Sequence, residues 1–459
     1  MKIIHTIFFV LFIVFGCSPE KKDNASVIDE MDLSLKAELL DVWYPRTVDS
    51  VYGGFLADFT YNWTPRGPQN KMVVSQTRQL WTSSEAAIFY KNDEYKKIAD
   101  HAFRFINDVL WDKENGGFYT TLSREGIPGE TEFGGFKMTY GNAFGIYALV
   151  AYYNLTGNED ALKLAKKTFM WLENFAHDPV YGGYFNSLLE NGSPLSKGNL
   201  DKLEVAPEEL PGYQRISQKD QNTSIHILEA LSELYKVWPD ELVRQRLDEI
   251  YTLLSEKIIN EKGSLTLFLT RDWQPISFRD SSEAVIKRNF EIDHVSFGHD
   301  IETGFLMLEA AHSLGKMDEK AVALAKKMVD HTLDNGWDKK DGGIYDRGYY
   351  YKGMDTCTIV HDVKVWWSEA EAMNALLLMS KLFPEETKYR DYFEQQWSYI
   401  KKYMIDHEHG GWYGEGLDNS PRYAKAPKAS DWKVNYHNFR ALRNCIQMLR
   451  GDHELIKGD

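Results

Sequence analysis

The sequence predicts an all-α fold, an (α/α)6 barrel of twelve helices forming a single domain, and three observations predict it. First, a glycine turn followed by aromatics recurs as Tyr52-Gly53-Gly54-Phe55, Gly116-Gly117-Phe118-Tyr119, Tyr181-Gly182-Gly183-Tyr184-Phe185, Gly342-Gly343-Ile344-Tyr345 and Gly410-Gly411-Trp412-Tyr413. A degenerate sixth copy, Asn260-Glu261-Lys262-Gly263, fills the longest gap. Second, the space between turns, 63 residues from Gly53 to Gly116 and 81 from Gly182 to Gly263, holds two helices, and apolar residues recur there at helical spacing. Third, half-polar helices alternate strictly with helices that are apolar nearly all round. Six buried and six half-exposed helices in alternation imply a closed double ring, because an open solenoid needs polar caps at its end repeats.

In chain order, residues 74–90, 139–155, 221–237, 298–314, 364–381 and 433–449 follow the glycine turns and form the inner set. The run Ala143-Phe144-Gly145-Ile146-Tyr147-Ala148-Leu149-Val150 typifies them and marks a helix with no wet side. Residues 29–46, 94–110, 159–176, 240–259, 318–335 and 386–405 precede the turns and form the outer set, with polar faces such as Glu94, Lys96, Lys97 and Asp100. The barrel is expected to occupy 29–452, after a linker at 17–28 and before a tail at 453–459.

Ahead of the linker, residues 3–16 (IIHTIFFVLFIVFG) are apolar, follow Lys2 and end at Cys17, the pattern of a secretory signal too short to span a bilayer comfortably. Val14-Phe15-Gly16-Cys17 resembles the lipobox of bacterial lipoproteins, so Cys17 is the expected lipid attachment site and the protein is expected to be exported and membrane-anchored, facing the periplasm or outer membrane. Phe15 is bulkier than that pattern prefers, which keeps ordinary secretion as the alternative. Cys357 and Cys445 could pair in an exported chain, and their spacing does not decide it; two separate buried small hydrophobes is the preferred reading.

The 459 residues are 43% hydrophobic and carry a net charge of −15, so the chain folds around a large core and lacks the positive field that nucleic acid selects. Its 13 Trp, 26 Tyr and 24 Phe exceed what such a core needs. Surplus Trp and Tyr suit sites where flat apolar faces meet a polar ligand, and sugars have such faces.

Polar residues on the otherwise apolar inner helices are the ones a core does not explain. Asn222, His226 and Glu229 share one stripe of the third inner helix, and His299 and Glu302 stand one turn apart on the fourth. His437 and Arg440 open the sixth, Arg78 and Trp81 lie on the first, and Trp366-Trp367-Ser368-Glu369-Ala370-Glu371 opens the fifth. All lie near the helix N-termini, hence at one end of the ring. A single histidine there is ordinarily a hydrogen-bonded core residue; three, with an arginine and a glutamate at one level, are hard to satisfy independently. His-x-x-Glu occurs at His226/Glu229 and His299/Glu302, a spacing able to chelate Zn²⁺, but also the spacing by which a carboxylate orients a histidine, and the second reading is preferred, with no metal. Asp406-His407-Glu408-His409 sits in a repeat turn and reads as a solvated loop.

The segments RQLW (78–81), NTSIHILEA (222–230), GHDIETGFLMLEA (298–310), VWWSEAEAMNALL (365–377) and WKVNYHNFRAL (432–442) resemble the signature segments of the N-acylglucosamine 2-epimerase superfamily, most closely its cellobiose 2-epimerase branch. The resemblance spans the mature chain in order. It implies an (α/α)6 barrel, no cofactor or required metal, and epimerisation at C2 of a reducing-end sugar. It places the two acid/base histidines on His299 and His437, a third funnel histidine on His226, the arginine on Arg78, and the sugar-supporting tryptophans on Trp432 and on Trp366 or Trp367.

Such a reaction removes the proton α to an aldehyde and returns one to the opposite face of a planar enediolate, so two proton carriers with pKa values near working pH suit it. Glu302 is expected to orient His299, Arg78 to stabilise the enediolate oxygen, and His226 and Asn222 to help ring opening, with Trp432, Trp366, Trp367 and Arg440 binding substrate. The expected partner is a small carbohydrate, with glucose or mannose at the reducing end of a β-1,4 disaccharide. Aldose–ketose isomerisation and epimerisation of an N-acylated monosaccharide share the enediolate and stay open. Glycoside hydrolysis through Glu302, Glu369 and Asp300 is the alternative of another class, disfavoured because the polar set centres on histidines. A sugar-binding surface lipoprotein without catalysis would need no histidine pair.

Overall fold

The structure is a computed structural model that describes residues 23–129, 135–196 and 217–457. Its inner helices are Val73–Tyr90, Thr139–Thr156, Gln221–Val237, Phe297–Ser313, Trp366–Leu382 and Tyr436–Arg450. Each packs beside the next, and the last packs beside the first, so the ring closes. The outer helices are Asn24–Leu33 continuing to Trp43, Asp93–Phe105 continuing to Leu110, Glu159–Phe175, Glu241–Leu253 continuing to Ile258, Glu319–Gly336 and Lys388–Tyr399 continuing to Met404. Several outer helices widen in their last turn, as at Ile106–Leu110 and Ile400–Met404, where hydrogen bonds skip one residue further than in an α-helix.

Each helix opens within a turn of its predicted start except the first, which begins at Asn24, inside the expected linker. Asp23 caps it by accepting from the Ser26 amide at 2.7 Å, and Val27 and Met31 are buried, so the segment has both a start signal and an apolar face. At the other end, His453 and Leu455 are buried and Glu454 meets Lys236 at 2.9 Å, so residues 453–457 belong to the packed body and not to a tail. The predicted signal at 1–16 and Cys17 lie outside the described residues. Cys357 and Cys445 are both free thiols. No helix of the described residues is long and apolar enough to cross a membrane.

Short antiparallel strands, which helical periodicity does not announce, collar the N-terminal end of the inner ring. Lys71–Met72 pairs with Thr121–Leu122, Phe136–Met138 with Ser187–Leu189, Lys219–Asp220 with Phe268–Leu269, and Val295–Ser296 with Arg347–Tyr349, to which Thr358–His361 adds a third strand. Phe59 bridges Ala429, tying the first repeat to the last. Inner helices therefore begin at the collar, and each outer helix begins at the opposite end, two to five residues after most inner helices finish.

A buried lysine stitches five of the six turns. Lys71 meets Asp49 at 2.9 Å, Lys137 Asp112 at 2.6 Å, Lys219 Asp178 at 3.4 Å, Lys364 Asp338 at 2.6 Å and Lys428 Asp406 at 2.5 Å. The aspartate also caps turn amides, as Asp112 does for Glu114 and Asn115 at 2.9 and 3.0 Å. Both glycines of the turn have positive φ, +72° at Gly116 and at Gly117, and a Cβ on Gly117 would sit 2.9 Å from the Trp171 ring. The degenerate fourth repeat replaces both partners together, with Asn260 for the aspartate and Val295 for the lysine, so neither charge is stranded.

Candidate active site

The collar end of the ring opens into a cavity of about 820 Å³. The register of the inner helices builds its wall: Tyr140, Asn222 and Trp367, which line it, are each the second residue of their helix; His437 and Gly298 hold the same place in the sixth and fourth helices, behind that lining. A Cβ on Gly298 would lie 2.7 Å from Trp367, so glycine there lets the indole swing into the ring. Tyr140, Asn222, Ser296, His299, Trp367 and Trp432 line the cavity.

Trp367 is in ring contact with both histidines. Its ring centre is 4.5 Å from that of His299 and 5.8 Å from that of His437. His437 Nδ1 donates to Glu371 Oε1 at 2.7 Å, whereas His299 Nδ1 shares a 2.7 Å hydrogen bond with the Ser296 hydroxyl. Burial, reinforced by His226 and His294, pulls His299 down to about 3; burial, Arg78 and Arg440 hold His437 well below the ordinary histidine value. Both rings are therefore neutral at rest, with proton affinities below the near-neutral values expected of the two proton carriers.

His226 Nδ1 pairs with Glu229 Oε2 at 2.9 Å, as its i, i+3 spacing predicts, and its ring faces Phe144 and Tyr140 at 4.7 and 5.0 Å. Arg78 donates through Nη2 to the Tyr140 hydroxyl at 2.7 Å, with its guanidinium 4.4 Å from the Phe144 ring centre and 5.1 Å from that of Tyr436. Among the described residues it has no carboxylate partner, so it is not half of a structural ion pair.

Three expectations need correction. Glu302 does not orient His299; its carboxylate turns to Arg440 and approaches His437 Nδ1 only to 3.9 Å. Arg440 does not bind substrate; it is buried, and its guanidinium is spent on Glu229, Glu302 and, at 2.7 Å, Glu371. Trp366 lies behind the cavity wall, with Lys433 5.7 Å from its ring centre, and Trp367 alone of the pair lines the cavity. In each case helical spacing fixes a residue's azimuth on its own helix but not which neighbouring helix it meets.

The same cluster bears on metal. Glu302, Glu371 and His437 place one ligand atom each within 4.8 Å of one another, yet the Arg440 guanidinium already bridges the carboxylates and His437 spends Nδ1 on Glu371. Burial pushes the Glu371 carboxyl above its ordinary value, against the pull of Arg440, while Arg440 and His226 overcome burial to hold Glu229 at about 2. The carboxylates of the hydrolase alternative are likewise committed: Asp300 accepts from the Leu265 amide at 2.8 Å, and Glu369 from the Ile344 amide at 3.2 Å and Gln396 at 2.6 Å.

Spacing alone overlooks Tyr140 and Ser296 and gives Glu371 no role. Tyr140 was findable from its register, since it holds the same helix position as Trp367 and His437. Glu371 and Ser296 act across or ahead of a helix and leave no periodic signal.

The profile of the family described as N-acylglucosamine 2-epimerase matches residues 54–441. The chain belongs to that family. A cellobiose 2-epimerase of Bacteroides fragilis is 30% identical to this family member over 92% of the chain and 98% of its own length. A D-mannose isomerase of Marinomonas mediterranea is 26% identical, covering 89% of this chain and 93% of that one. Among solved structures, the cellobiose 2-epimerase of Bacillus thermoamylovorans superposes with a TM-score of 0.78 at 27% identity, over 92% of this chain and 99% of the other. The N-acylglucosamine 2-epimerase family assignment makes the protein an enzyme of the epimerase and isomerase class on an (α/α)6 barrel.

Proposed function

We propose that the protein epimerises C2 of a glucose or mannose unit at the reducing end of a β-1,4 disaccharide such as cellobiose or mannobiose, without a metal or cofactor. The observation that carries this reading is the contact of Trp367 with two histidine rings from different inner helices, a pair of proton carriers such as a planar intermediate needs. With the ring opened, one histidine takes the C2 proton, and the C–H electron pair moves onto the carbonyl to give the enediolate. The partner histidine returns a proton to the opposite face, and the carbonyl re-forms. Arg78, lacking a carboxylate of its own, supplies positive charge to an oxyanion that exists only during reaction. Glu371 holds the proton on His437 Nδ1, which leaves Nε2 as the reactive nitrogen. Asn222 and His226 are assigned to ring opening, and Trp432, 41% exposed at the mouth with its ring centre 6.4 Å from that of Tyr140, is assigned as a platform for a second sugar.

Incubation with cellobiose, mannobiose, glucose, mannose and N-acetylglucosamine in D₂O, followed by NMR, tests it. The expected result is deuterium at C2 and the C2 epimer of the disaccharide. A ketose product favours aldose–ketose isomerisation, the reading suggested by the D-mannose isomerase relative, and released monosaccharide overturns both.

We also propose that residues 1–16 direct export and that Cys17 carries lipid. Incorporation of labelled palmitate that is lost in Cys17→Ala supports this; labelling unaffected by the substitution overturns it.

A further inference from the structure

Two cavity-lining histidines, His294 and His361, play no part in the scheme above, and His361 spends its Nδ1 on Asp346 at 2.8 Å. His294 lies immediately ahead of the strand Val295–Ser296 that leads into the fourth inner helix, in the one repeat whose collar lacks the buried lysine. Val295 takes the lysine's place, and strand alternation turns His294 and Ser296 together to the cavity, which both line. His294 is 9% exposed, and its Nδ1 donates to the Phe290 carbonyl at 2.8 Å. That carbonyl is fixed, because the segment carrying it, Phe290–Asp293, is pinned at several points. Asp293 Oδ2 accepts from the Phe278 amide at 2.6 Å, the Ser277 hydroxyl at 2.8 Å and the Tyr349 hydroxyl at 3.0 Å, and Glu291 pairs with Arg347. Nδ1 being the protonated nitrogen, Nε2 is an acceptor, and among the described residues it has no partner. Burial and the nearby Arg347 charge lower the histidine's proton affinity and keep the ring in that neutral form.

We infer that His294 is a specificity-determining residue whose Nε2 accepts a hydrogen bond from a hydroxyl of the bound sugar. The inference rests on the sugar-epimerase reading for its ligand class. It differs from the roles of His299 and His437, because a ring locked in one tautomer by a rigid carbonyl is suited to recognition and not to proton exchange. Its position beside His299 and Ser296 sets the hydroxyl on the reacting ring or on the sugar next to it.

Two variants test it. His294→Leu removes both ring nitrogens, and His294→Asn keeps a donor for Phe290 while removing the Nε2 acceptor, so the second reports on the hydroxyl even where the first folds poorly. Both are expected to raise KM for cellobiose about tenfold with kcat retained, the effect of one hydrogen bond. His294→Gln, whose carbonyl reaches the place of Nε2, is expected to restore most of it. Binding read by quenching of Trp367 and Trp432 fluorescence, with cellobiose and with mannose as probes, is independent of turnover, so absence of epimerisation and absence of this contact are separable outcomes. Weakening for cellobiose alone puts the hydroxyl on the second ring, and weakening for both sugars puts it on the reacting ring. Unchanged KM and unchanged binding in His294→Asn, or a fall in kcat with KM retained, overturns the inference.

Discussion

His437 and Glu371 come from different inner helices, the sixth and the fifth, and meet at 2.7 Å through Nδ1 and Oε1. His299 has only the Ser296 hydroxyl in that place. The two proton carriers are therefore unequal: one is backed by a carboxylate that stabilises its imidazolium, and the other is not.

Glu371→Gln is expected to lower kcat about a hundredfold with little change in KM, because the amide orients His437 but does not stabilise its charged form. Ser296→Ala is expected to cost less, since no charge is removed. Steady-state kinetics of the two variants check the asymmetry, and equal losses contradict it.

His299→Ala and His437→Ala are each expected to reduce epimerisation by at least about a hundredfold while the fold persists. Deuterium incorporation at C2, measured beside the circular dichroism melt, separates lost chemistry from lost structure.

Lys137→Met is expected to destabilise the protein by about 3–5 kcal/mol, because it strands Asp112 in the collar without its charge partner. Lys137→Val with Asp112→Asn copies the fourth repeat, where Val295 and Asn260 stand in these places, and is expected to recover most of the loss. Chemical denaturation of the three proteins measures both effects.

Acid is expected to destabilise the fold through His299. Histidine in the unfolded chain takes a proton near about pH 6.5, whereas His299 in the folded protein holds off until about 3. Between those values the unfolded state binds the extra proton, so stability declines as pH falls. His299→Gln is expected to make that decline shallower when melting temperature is followed against pH.

Exhaustive chelation is expected to leave turnover unchanged. Arg440 supplies the positive charge that Glu302 and Glu371 would otherwise draw from an ion. Activity lost to chelator and restored by one divalent cation contradicts it.

The fold was legible because the Gly-Gly turns are chemically singular: two successive positive-φ positions admit little but glycine, so the repeat survives where the rest of each unit diverges. The collar was not, because strands of two to four residues leave no period to read. Of the site, His226 with Glu229 was legible since both partners lie on one helix. Glu302 misled for the same reason: its spacing to His299 is right, but three glutamates from different helices converge on Arg440, and that convergence exists only once the ring has closed. The choice between Trp366 and Trp367 likewise waited on Gly298, whose missing side chain on a neighbouring helix decides which indole enters.

The direction in which the chain joins the ring sets how the enzyme stands on any support. Asn24 opens an outer helix, and outer helices start at the end remote from the cavity, a helix length of about 30 Å away for twenty residues. With Cys17 lipidated as proposed, the chain would enter the barrel from its lipid at the end remote from the cavity, and the mouth would stay open to saccharides in the surrounding medium.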